Sequence, residues 1–157
     1  MATAYSKIQR NFWETDEARE MTPEEKYFWM YLQTNANVNT LGCYAFRMRK
    51  AMDETGYNRE TLEKLLQRME QVLRILYDEG TKEVFLLHWA EGNWNKKTAT
   101  LRALAADLKE IQSKTLKETV KTLLLKNGIF TEEEVEKAEK TAPSAQERNE
   151  KEQRGTT

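Results

Sequence analysis

The chain has 157 residues, 39% apolar and 32% charged, with 25 Lys+Arg against 26 Asp+Glu and one residue each of Cys and His. No apolar run approaches the roughly 18 residues of a membrane helix, and the N-terminus lacks a signal-peptide core, so a cytoplasmic protein without a membrane partner is expected. Cys43 alone excludes an internal disulfide or a Cys-cluster zinc site, and His88 alone excludes zinc sites that need two histidines.

In chain order, the first strong signal is Thr22-Pro23-Glu24-Glu25. Thr22 suits an N-cap, Pro23 the first helical position and Glu25 the reciprocal half of a capping box, which predicts a helix over 23–33. Its middle, Tyr27 to Leu32, is apolar or aromatic on every face. Either the N-terminal arm (Phe12, Trp13) and later helices cover it, or a second subunit does. Leu41 to Phe46 reads as a short buried strand. Met48 to Thr55 reads as a second helix stopped by Gly56, and Asn58 caps a third over 59–73 with Leu62, Leu65, Leu66 and Met69 at helical spacing. The short Gly-containing interval between these two helices has helix-turn-helix spacing.

Arg74 to Tyr77 and Glu83 to Leu87 then flank a turn of hairpin length containing Gly80. Helix, strand, helix, helix and hairpin in that order predict a mainly α fold, a winged helix-turn-helix with a small β-hairpin wing, followed by additional C-terminal helices. Two rotated apolar stripes, Leu101 to Ile111 and Leu116 to Leu124, predict a break near Ser113, and Thr115-Leu116-Lys117-Glu118 has the form of a capping box. Asn127-Gly128 ends the second stripe with Ile129-Phe130 folding back, and Thr131 to Glu134 are placed to cap a short helix over 132–140. Only four of the 61 apolar residues, Val135, Ala138, Ala142 and Ala145, lie past residue 130, which leaves the first 130 residues 44% apolar. The expected organisation is therefore a winged-helix domain with its arm over 1–95, a basic helical extension over 96–130, and an acidic, largely disordered tail over 131–157.

Net charge divides unevenly: −2 over residues 1–90, +4 over 91–128 (8 basic against 4 acidic) and −3 over 129–157. In the basic segment Lys114, Lys117 and Lys121 share a helix face, with Lys96 and Lys97 before it, as either a solvated face or a phosphate-contacting one. On the third helix Asn58, Arg59, Thr61 and Lys64 are candidates to enter a DNA groove, with Arg68 nearer the backbone and Lys82 at the wing tip. Glu60 and Glu63 share that exposed turn and oppose a polyanion, so a protein-contacting use of the winged surface stays open. Arg47, Arg49 and Lys50 form a further basic cluster at the start of the second helix. The chain contains no Gly-rich phosphate loop, HExxH or GxSxG, and Cys43 with His88 is the only Cys-His pair available for nucleophilic catalysis. A non-enzyme without metal or cofactor is expected.

Asn11-Phe12-Trp13-Glu14-Thr15-Asp16, Leu32-Gln33-Thr34-Asn35, Gly42-Cys43-Tyr44, Thr55-Gly56-Tyr57, Ile75-Leu76-Tyr77-Asp78 and Trp89 with Asn93-Trp94-Asn95 follow one another between residues 11 and 95. In their order and spacing the chain, from Lys7 to about Leu125, resembles the N-terminal winged-helix region of DnaD-like replication proteins, the replisome organisers of Gram-positive bacteria and their phages. The resemblance implies a role in initiating DNA replication, with a replicative helicase or its loader as partner, and self-association into a homo-oligomer. Phe12, Trp13, Trp29 and Tyr31 are the aromatic anchors expected at that interface. In such proteins a separate C-terminal domain contributes much of the DNA binding. No second globular stretch follows residue 130, so the chain is expected to be a short phage form or a fragment. The alternative reading of the same fold is a sequence-specific transcription regulator, and a third is a protein-protein adaptor.

Overall fold

In the computed structural model, which describes residues 4–140, two short elements precede the first predicted helix: a 3-10 turn over Arg10–Glu14 and helix α1 over Asp16–Glu20. Thr15 makes both. Its hydroxyl donates to the Phe12 carbonyl (2.7 Å) and accepts from the Ala18 N–H (3.2 Å). Five-residue elements are too short for apolar periodicity to register. Phe12, Ala18 and Met21 are buried, so the arm belongs to the core.

Helix α2 (Pro23–Thr34) carries the expected capping box, with Glu25 N–H donating to Thr22 Oγ1 (3.2 Å) and Thr22 N–H to Glu25 Oε2 (3.3 Å). Strand β1 (Cys43–Ala45) leads into α3 (Met48–Thr55), which ends on Gly56 at φ +82°, and α4 (Arg59–Gln71) opens with Asn58 Oδ1 accepting from Thr61 N–H (2.8 Å). Strands β2 (Ile75–Asp78) and β3 (Glu83–Leu86) form the hairpin. The sheet is antiparallel in the order β1-β3-β2, and Val84 at its centre faces Tyr44 on one side and Tyr77 on the other. This is a winged helix-turn-helix, mainly α, with additional C-terminal helices. Leu62, Leu65, Leu66 and Met69 of α4 pack with Phe28 and Leu32 of α2 and Ile75, Val84 and Leu86 of the sheet in one core.

A one-turn helix α5 (Ala90–Asn93) follows the wing, then α6 (Thr98–Glu110), α7 (Lys114–Lys126) and α8 (Glu132–Lys140). The break between α6 and α7 falls at Ser113, as the rotated stripes predict, but Ser113 rather than Thr115 is the cap: its Oγ accepts from Leu116 N–H (3.1 Å). Glu83 of β3 reinforces that cap from 30 residues away. Its buried carboxylate accepts from Ser113 N–H (2.6 Å) and from Gln112 N–H (3.0 and 3.1 Å). That acceptor lies on another element, outside the local sequence of α7.

The folded part extends past residue 130. Thr131 and Glu134 form a reciprocal capping box, and Val135 and Ala138 are buried as α8 packs on α6. Two small apolar residues suffice because they fall on one face, where a composition average does not show them. The tail expected to be disordered lies, over 141–157, outside the described residues. No helix among the described residues is long and apolar enough to cross a membrane.

Candidate nucleic-acid interface

Side chains of α3, α4 and the wing surround an open groove of about 1070 Å³. The sequence builds it locally. Arg47 is the extended residue before α3, Arg49 and Lys50 lie in its first turn, Arg59 is the first residue of α4, and Lys82 sits on the wing at φ +60°. Asp78 shapes the wing tip, its Oδ1 accepting from Gly80 N–H (2.8 Å) and Thr81 N–H (3.3 Å), an Asx-type turn. Phe46, Met48, Leu66 and Tyr77 contribute the apolar part of the lining.

Five cations therefore converge on the groove: Arg47, Arg49, Lys50, Arg59 and Lys82, all exposed or nearly so. No ion pair within the described residues occupies any of them, whereas Lys64, Arg68, Arg74 and Lys121 each have a carboxylate partner. The same groove carries Asp53, Glu63, Glu70 and Glu79. With five cations against four carboxylates, long-range attraction for a polyanion is small.

The residues expected to read DNA separate into distinct groups. Arg59 and Lys82 line the groove, whereas Asn58 does not and uses its side chain to cap α4. Thr61 is half-buried. Lys64 pairs with Glu60 at 3.2 Å across one helical turn, and Arg68 Nε donates to Glu25 Oε1 (3.2 Å), so Arg68 ties α4 to α2 instead of pointing to a backbone phosphate. Lys96, Lys97 and Lys114 are exposed and Lys117 is half-buried, but none of them lines the groove. Lys121 is withdrawn from that lysine face. It pairs with Glu118 (3.1 Å) and with Glu139 of α8, which the sequence pattern on α7 alone cannot show. Arg47, Arg49 and Lys50, a secondary cluster by sequence, are the basic residues that the fold brings into the groove.

The aromatic anchors also divide. Phe12 and Trp29 are buried inside the chain, Trp29 only 4% exposed beneath the Arg74 guanidinium (5.6 Å from the ring centroid). They are core residues, and the all-round apolar character of α2 is met largely by the chain's own arm and helices. Tyr31 is half-buried, its hydroxyl donating to Glu54 Oε1 (2.9 Å). Trp13 remains 60% exposed, with Lys26 Nζ 5.8 Å from its ring centroid.

Cys43 and His88 make no hydrogen bond with each other; Cys43 is buried and His88 exposed. Burial, with Glu83 nearby, pushes the Cys43 thiol from an ordinary 9.0 up to about 12. A group with a raised folded pKa stabilises the fold below its unfolded pKa and loses that contribution as pH rises toward the folded one. Stability should therefore fall between pH 9 and 12, by up to about 1.4 kcal/mol per pH unit from this thiol, and Tyr44, raised chiefly by burial, acts in the same sense. Native protein at pH 8 should leave Cys43 unmodified by a thiol reagent, with labelling tracking the unfolded fraction in denaturant; rapid labelling of folded protein would contradict its burial. Among the described residues no group of three or more His, Cys, Asp or Glu is placed to hold a metal ion.

No family model, curated protein or solved structure matches the chain.

Proposed function

We propose that the chain is a non-enzymatic DNA replication initiation factor: an oligomerising winged-helix module that binds DNA through the α3, α4 and wing groove and engages helicase-loading partners. The observation that carries the DNA part is the convergence of five cations without ion pairs, drawn from three elements, on the groove of a winged helix. Phosphate contacts of this kind position a protein on a duplex without reading its sequence. That suits an organiser better than a regulator, because Glu60 and Glu63 occupy the turn of α4 from which a reader would address bases. Placement in replication rests on the resemblance to DnaD-like proteins. Self-association rests on that resemblance and on the exposed Trp13, an aromatic anchor of the kind that interfaces favour.

Light scattering combined with DNA titration tests this reading. The expected result is a mass above that of the 18.5 kDa monomer and similar affinity for unrelated duplexes of equal length. Trp13→Ala should lower the mass while the fold persists, whereas Trp29→Ala should cost about 3–5 kcal/mol of stability as a core truncation. A monomer in both proteins would remove the self-association. A dimer with strong preference for a two-fold symmetric site would favour the transcription regulator instead.

A further inference from the structure

Arg74 is the one buried cation among the described residues, its side chain 9% exposed, and its charge is poorly met. Nε has no hydrogen-bond partner, and Nη2 lies 3.7 Å from Glu17 Oε2, beyond hydrogen-bond length. Glu17 is itself 64% exposed. Nε is closed to solvent, so Nη2, the nitrogen nearest Glu17, is the one placed to donate to an incoming carboxylate. One face of the group is covered by Trp29. Burial lowers the Arg74 pKa more than Glu17 raises it, as expected of a cation without an adequate counter-charge.

This guanidinium lines a cleft of about 370 Å³ between the N-terminal arm and the body of the fold, a volume within the range of small-ligand sites. Lys7, Gln33, His88 and Asn93 line it as well. Gln33 and Asn93 donate their amide N–H groups to the Trp29 and Trp89 carbonyls (3.3 and 2.9 Å), which leaves their side-chain oxygens to accept from a ligand. Glu17 and Glu91 also line the cleft, where they oppose a dianion such as phosphate and favour a donor or cationic group.

We propose that this cleft binds a carboxylate whose bearer also carries a hydrogen-bond donor, with Arg74 Nη2 donating to the carboxylate and the Gln33 and Asn93 oxygens facing the donor. Glu17 stands at the same nitrogen and is displaced when the ligand enters. The site is independent of the DNA groove, so either one can fail without the other.

The test follows the Arg74 Nε–Hε resonance of the full chain by NMR while sodium acetate, free L-glutamate or an end-blocked tripeptide containing glutamate is added. Sodium chloride and inorganic phosphate at matched ionic strength are the controls. The resonance should move saturably with the carboxylates and not with chloride. L-glutamate binding more tightly than the blocked peptide identifies a free small molecule as the source of the carboxylate, and the reverse identifies an acidic peptide. Glu17→Gln, on an exposed side chain, should tighten binding by roughly two- to fivefold, the worth of a surface ion pair. The Gln33 and Asn93 side-chain amide resonances, present in both proteins, should shift saturably in wild type and not in Arg74→Lys of unchanged circular dichroism. A resonance unmoved by every carboxylate in both wild type and Glu17→Gln, or moved equally by chloride, overturns the proposal.

Discussion

Gly42→Ala is expected to destabilise the protein more than any other single-methyl change, by roughly 3 kcal/mol or more, from two costs that act together. Gly42 holds φ +80°, in the left-handed region that L side chains rarely adopt, and an added Cβ would stand 2.5 Å from Trp89 Cγ and Cδ1 and 2.9 Å from Trp89 Cβ. Trp89 has little room to yield. It is 7% exposed, and its indole N–H donates to the Thr40 carbonyl (3.0 Å). Gly42 is also fixed from its own side, because its carbonyl accepts from Leu86 N–H (2.8 Å) and its N–H donates to Asn39 Oδ1 (2.8 Å). Chemical denaturation should show a lower midpoint with an unchanged slope. A stability within about 0.5 kcal/mol of wild type would contradict the close approach of Gly42 to Trp89.

Glu83→Ala is the second large effect, expected at about 2–4 kcal/mol, since hydrogen bonds to a buried charged acceptor are worth about 1.5–3 kcal/mol and their loss strands buried donors. The carboxylate takes the Gln112 and Ser113 N–H groups at the start of α7, where the helix dipole also favours an anion. Glu83→Gln distinguishes this account from simple loss of volume. The amide keeps the shape but replaces one acceptor oxygen with an NH₂ facing the same donors, so it should recover less than half of the loss. Hydrogen exchange should report it locally, with protection falling in α7 before the β2-β3 hairpin. Equal stability of Glu83→Gln and wild type would mean that the carboxylate's charge and second oxygen contribute nothing.

These two residues also mark what sequence periodicity can and cannot reach. The helices with caps and regular apolar spacing were legible almost to the residue: Thr22 with Glu25 opens α2, Gly56 ends α3, and Asn58 opens α4. Each of those signals is local. The 3-10 turn, α1 and α5 carry too few residues for a period, and the cap of α7 depends on a glutamate in another element. The candidate interface was only partly legible for the same reason. Arg59 and Lys82 could be placed by motif position, but whether a lysine is free depends on carboxylates elsewhere in the chain. Glu25 takes Arg68, and Glu139 on α8 takes Lys121. Trp29, one of six consecutive apolar or aromatic residues, has no local mark separating it from an interface residue; burial by the arm decides it.

The charge of the 91–128 segment, +4 by sequence, changes meaning in the same way. Its helices pack with α8, whose first turn is Glu132, Glu133 and Glu134 and whose Glu139 meets Lys121, so part of the excess is offset within the fold. The groove between α3, α4 and the wing has less net charge, but its five cations, none in an ion pair among the described residues, converge from separate elements on one concave surface. The two surfaces therefore make opposite predictions for a pair of variants.

The salt dependence of duplex binding decides between them. Arg49→Ala, Lys50→Ala and Lys82→Ala, all at exposed positions, should together weaken binding and reduce the slope of log K against log salt by up to about 3, one unit per lost phosphate contact. Lys114→Ala with Lys117→Ala should leave the slope within about 0.5 of wild type, less than one phosphate contact. An unchanged slope in the groove variant, with the loss appearing in the Lys114 and Lys117 variant instead, would contradict the assignment of the winged groove as the DNA-contacting surface.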